Sequence, residues 1–112
     1  MLNEPELTLK ELIPMLHGVD DTLIYDRLVE LQLLMPIAGG FKPLQRAVNY
    51  EFKNTSPKLT LTTIGIQTLY KLYRDEELPM KSDWNGSFIK PKAFRAMLNQ
   101  NYNEKLYRGS YA

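Results

Sequence analysis

The chain is 112 residues long, enough for one domain with a modest core and an arm or tail besides. Its 44% hydrophobic and 24% charged composition is that of a globular protein, and the absence of cysteine excludes disulfides and thiolate metal sites. The net charge of +1 conceals a gradient: residues 1–38 hold two basic side chains against seven acids, residues 39–77 six against four, and residues 78–112 six against two. Any basic face must therefore come from the second half.

No apolar run approaches the roughly 20 residues of a membrane span, and the opening MLNEPELTLKE is too acidic and polar for a secretory signal. A cytoplasmic location is expected. Thr8 then caps a first helix: its hydroxyl is placed to accept the N–H of Glu11 while the Glu11 carboxylate reaches back, a capping box flanked by Leu7 and Leu12. Leu9, Leu12, Ile13 and Leu16 give that helix its apolar stripe. Pro14 predicts a kink or a short helix, and Gly18 the stop. Asp20 or Asp21 caps the second helix, with Ile24, Leu28, Leu31 and Met35 as its core face and Pro36 as its end. A strand entering a turn at Gly39-Gly40 follows, with Ile37 to Phe41 crossing it.

The segment NYEFKNTSPKLTLT reads as a β-hairpin, YEFK and KLTLT about a polar connection. Thr62 caps a third helix with Ile66, Leu69, Tyr70 and Tyr73 on one face, and Gly65 in its first turn signals close backbone packing. Asp75, Glu76 and Glu77 mark a boundary, because acids sit badly at a helix C-terminus. Beyond it Asp83 to Gly86 reads as a turn and Pro91 as the first position of another helix, with Phe94, Met97, Leu98 and Tyr102 on its apolar side. The closing YRGSYA reads as loose chain.

The expected fold is α+β and mainly α: a winged helix-turn-helix with a β-hairpin wing over residues 1–77. Residues 78–112 form an extra C-terminal helix or arm, an aromatic and basic extension packed on the domain or free of it. The order of motifs resembles the C-terminal domain of KilA-type phage antirepressors over residues 7–74. Leu7, Thr8, Glu11 and Leu12 match the opening helix, Pro43, Gln45, Arg46, Tyr50 and Phe52 the middle, and Leu61, Thr62 and Gly65 the closing helix. The resemblance implies a small phage or prophage regulatory protein.

His17 is the single histidine and the acids are scattered or capping, so neither a nucleophile-base pair nor a metal cluster is legible, and no enzyme activity, metal or cofactor is expected. His17 reads as a helix-end residue near exposed carbonyls. The second helix and its leading turn carry Asp20, Asp21, Asp26 and Glu30 against Arg27 alone, a poor approach to phosphates. Those five residues are the candidates for docking a host or phage protein, with Arg27 paired to Asp26 or Glu30. Candidates for DNA are Lys42, Arg46, Lys53 and Lys58 on the wing and Lys90, Lys92, Arg95 and Arg108 beyond it, interleaved with Tyr102 and Tyr107. Trp84, Phe88 and Phe94 are expected to pack the extension onto the core. The sequence favours a protein partner over DNA and leaves a homodimer open.

Overall fold

The computed structural model describes residues 7–53 and 59–110, with side chains to Lys105. It is an α+β fold, mainly helical. Strand β1 (Leu7–Thr8) leads into α1 (Leu9–Leu12), and a 3₁₀ turn over Ile13–Met15 follows. Helix α2 (Leu23–Glu30) precedes a hairpin of β2 (Leu34–Ile37) and β3 (Gly40–Pro43), then a 3₁₀ turn at Gln45–Ala47. Strand β4 (Thr60–Leu61), α3 (Thr63–Arg74) and α4 (Pro91–Ser110) complete the chain.

Local chemistry sets the starts of these elements. Thr8 accepts the Glu11 N–H at 3.2 Å while its own N–H donates to Glu11 Oε1 at 3.0 Å, the expected capping box. Pro14 keeps α1 short by forcing the tighter 3₁₀ turn. Asp20 Oδ1 accepts the N–H groups of Thr22 and Leu23, at 2.9 and 3.0 Å, ahead of α2. Thr62 Oγ1 accepts the Gly65 N–H at 3.0 Å at the start of α3. A Cβ at Gly65 would overlap the Glu51 carbonyl oxygen, which is why that position holds no side chain.

Helix α2 ends five residues earlier than Pro36 predicts. Gln32 adopts the left-handed conformation at φ 62°, and the Leu33 N–H turns back to the Leu28 carbonyl at 2.9 Å. That Schellman-type stop leaves Leu34–Ile37 free to become a strand, with Met35 and Pro36 inside it. Proline is tolerated there because both strands of a lone hairpin are edges. The register runs from Leu34↔Pro43 to Ile37↔Gly40 about Ala38-Gly39, and the Tyr25 and Phe41 rings stack at 5.2 Å to hold the hairpin against α2.

The hairpin expected over residues 50–62 is reduced to a short pairing. The Lys53 N–H donates to the Thr60 carbonyl at 2.8 Å and the Thr62 N–H to the Glu51 carbonyl at 3.1 Å, while Thr60–Leu61 pairs antiparallel with Leu7–Thr8. Its tip, including Lys58, lies outside the described residues.

Leu9, Leu12, Ile24, Leu28, Phe52, Leu69 and Tyr73 form one buried cluster, which Leu78 and Phe94 from beyond residue 77 join. The C-terminal segment is therefore packed on the core, and helix runs through Ser110 where loose chain was expected. Tyr73 ties the two parts: its hydroxyl donates to the His17 carbonyl at 2.8 Å and accepts the Ile89 N–H at 2.9 Å. Burial of the ring pushes that hydroxyl up from its ordinary pKa. Phe88 meets the edges of Tyr73 and Trp84 at 5.1 Å each, and Phe94 stacks on Tyr70 at 4.6 Å, so the aromatics pack as expected.

Candidate functional site: an acidic face on the second helix

The turns that end α2 and α3 decide what lies beside α2. Glu76, like Gln32, takes the left-handed position, at φ 59°, and the Glu77 N–H returns to the Leu72 carbonyl at 2.9 Å. The chain is thereby sent across the outside of α2, where the Asp20 N–H donates to the Pro79 carbonyl at 2.9 Å and Val19 bridges to Met80.

Arg27 fixes this arrangement. Its Nη2 lies 2.6 Å from Glu77 Oε2 and its Nε donates to the Glu77 carbonyl at 2.7 Å, a two-point contact across 50 residues of sequence. The expected pairing with Asp26 or Glu30 is thus replaced. A main-chain carbonyl and a carboxylate together satisfy the planar fork better than one flexible i,i+3 partner does.

The consequence is a concentration of unneutralised acid. Asp26, Glu30 and Glu76 are exposed and have no ion-pair partner among the described residues. They surround a shallow hollow of about 410 Å³, together with Arg27, Glu77, Leu23, Leu78 and Pro79. Leu23 is 52% exposed, which places a large apolar side chain in the same hollow as these acids. Sequence reasoning identified Asp26, Arg27 and Glu30 but missed Leu23, Glu76 and Glu77. The adjacent acids at 75–77 were a signal, read as a boundary because only the chain reversal brings them to α2.

Asp20 and Asp21 are not in this hollow. The N-cap position of α2 is Thr22 rather than Asp20 or Asp21, and Asp20 is committed to the turn ahead of it: hydrogen bonds from the Thr22 hydroxyl and from the Leu23 and Thr22 amides hold its carboxyl below the usual range. Asp21 is exposed and lies near Tyr25, whose hydroxyl is raised first by burial and then by that charge.

The predicted basic residues do not converge on one hollow. Lys42 and Lys53 line a depression of about 840 Å³ with Gln45 and Asn49, whose other walls are Met35, Pro43, Leu44 and Val48. Arg46 is spent on the Leu31 carbonyl at 3.0 Å, bracing the end of α2. Lys90 and Lys92 are exposed at the start of α4, and Arg95 lines a separate groove against α3. Lys58 and the Arg108 side chain lie outside the described residues.

His17 is exposed with Nε2 at 3.3 Å from Asn85 Oδ1, and among the described residues no three His, Asp or Glu side chains are grouped to hold a metal. No helix among the described residues is long and apolar enough to cross a membrane. Compared with known proteins, the chain matches no family model, no curated protein and no solved structure.

Proposed function

We propose that this chain is a small phage- or prophage-type regulatory protein, antirepressor-like or inhibiting a host factor, that acts by docking a basic protein surface on the face of α2. The α1–α2 pair followed by a hairpin is the basis for reading it as a winged-helix-type module. One observation carries the docking proposal: Asp26, Glu30 and Glu76 stand unpaired around exposed Leu23. A desolvated apolar centre inside a charged rim is the common anatomy of a protein interface, and uncompensated charge of one sign steers a partner of the other. The test is affinity capture from a host lysate with the wild-type chain and with Glu30→Lys/Glu76→Lys. A basic partner retained by the former and lost by the latter, with binding weakened by salt, is the expected result. Capture indifferent to the charge reversal would sink the proposal.

A second reading has its own observation. Lys42 and Lys53 line one hollow beside Gln45 and Asn49, side chains suited to phosphate and sugar contacts. DNA binding through it predicts a low-salt gel shift that Lys42→Glu/Lys53→Glu abolishes. A shift unchanged by that double variant would remove this reading.

A further inference from the structure

We propose that the groove between α3 and α4 is a second docking site, which takes an amphipathic helix with acidic flanks from a partner protein. The surface is distinct from the acidic face of α2 and opposite to it in charge.

Helices α3 and α4 line one groove together. Tyr70 in the middle of α3 stacks on Phe94 near the start of α4. At the far end of α4, Lys105 Nζ reaches Glu11 Oε1 at 2.7 Å, and Glu11 belongs to the capping box whose strand pairs with Thr60, just ahead of α3. Between these ties lies an open groove of about 700 Å³, its walls extending from Thr63 to Arg74 on one side and from Pro91 to Tyr102 on the other. At the helical rise per residue that is a trough about 17 Å long, the length of three turns of an inserted helix.

Its floor is apolar, built from Ile66, Tyr70, Phe94 and Leu98. The Tyr70 hydroxyl is already used, donating to the Ile89 carbonyl at 2.6 Å and accepting from Arg74 Nη1 at 3.2 Å. A polar ligand therefore finds few free partners at depth, while an apolar helix face with anchors at i, i+3, i+4 and i+7 fits the floor.

The rim supplies the sign. No carboxylate lines the groove. Lys71 is neutralised by Asp75 at 2.8 Å, but Arg74 on the α3 wall and Arg95 on the α4 wall have no carboxylate partner among the described residues. Exposed Lys90 and Lys92 at the start of α4 extend the positive potential. An occupant with Glu or Asp along both edges of its apolar stripe meets a guanidinium on each side.

The proposal is tested on the full chain with two fluorescein-labelled 16-residue helical peptides that share one Leu stripe, one flanked by Glu and the other by Lys. Anisotropy and ¹H–¹⁵N shift mapping are expected to show the Glu peptide binding, with perturbed amides confined to α3 and the first three turns of α4. The Lys peptide binds at least tenfold more weakly. Arg95→Glu, an exposed position whose change leaves the thermal melt unaltered, weakens the Glu peptide about tenfold. Equal binding of both peptides, shifts mapping elsewhere, no binding up to millimolar peptide, or a dimer of the chain itself that Arg95→Glu dissolves would each overturn it.

Discussion

Tyr73→Phe removes one oxygen atom and separates two roles of the same side chain. The ring contacts with Tyr70 and Phe88 are kept, so no cavity term arises. What is lost is a pair of hydrogen bonds, to the His17 carbonyl at 2.8 Å and from the Ile89 amide at 2.9 Å. At the usual net value of 0.5–1.5 kcal/mol per bond, the cost is about 2 kcal/mol. For a chain of 112 residues that corresponds to a fall in Tm of about 8 °C. Urea unfolding followed by far-UV circular dichroism reads it directly, with the midpoint lowered and the slope unchanged. Amide exchange at Ile89 is expected to accelerate in the same variant, because that N–H loses its acceptor. A drop in Tm below about 2 °C with Ile89 still protected would refute the view of Tyr73 as the tie between the front of the fold and its C-terminal segment.

Gly65→Ala sets two known effects against each other. Helix propensity alone predicts a gain of about 1 kcal/mol, whereas overlap with the Glu51 backbone predicts a loss of about 3 kcal/mol. Net destabilisation in a thermal melt is expected, and net stabilisation would show that the helix is free to move away. Glu11→Gln probes acid behaviour. Burial raises the Glu11 carboxyl, but hydrogen bonds from Lys105 and Thr8 outweigh it and leave the group below its ordinary value of 4.5. A depressed carboxyl contributes stability that is fully present above that value and lost as pH falls through the folded one. The variant is therefore expected to be less stable at pH 7, with the gap narrowing as pH falls below the ordinary carboxyl value of 4.5. A gap that does not narrow as pH falls would contradict this.

Features written into neighbouring residues were legible in the sequence. The Thr8 and Thr62 caps, the short first helix at Pro14 and the Pro91 start all depend on contacts within a turn of the chain. The end of α2 was hidden, because Gln32 rather than glycine takes the left-handed stop. The start of β2 was hidden with it: the strand entering the Gly39-Gly40 turn was legible, but the run LLMPI neither alternates nor avoids proline, and it reads as the tail of the helix before it. The acidic face was half legible. The excess of acids in the first 38 residues pointed to α2, but Glu76 and Glu77 join it only through a reversal held by a contact spanning 50 residues. Pattern within a window of a few residues carries no record of such a contact.

The near-zero net charge conceals two surfaces of opposite sign. An acidic face on α2 and a basic groove between α3 and α4 invite the thought of head-to-tail association between copies, which would be heterologous and would build open chains. Shape argues against it. Both surfaces are concave, and the helix that carries the acids is anchored by buried Ile24 and Leu28. It is not available to lie in a trough that needs a free three-turn helix. Two hollows of opposite sign do not fill each other. The chain is accordingly expected to sediment as a monomer at 100 μM and low ionic strength, where any attraction between the two faces is least screened. Concentration-dependent growth that 0.5 M salt reverses would show that the two faces recognise one another, and would recast both hollows as parts of one self-assembling interface.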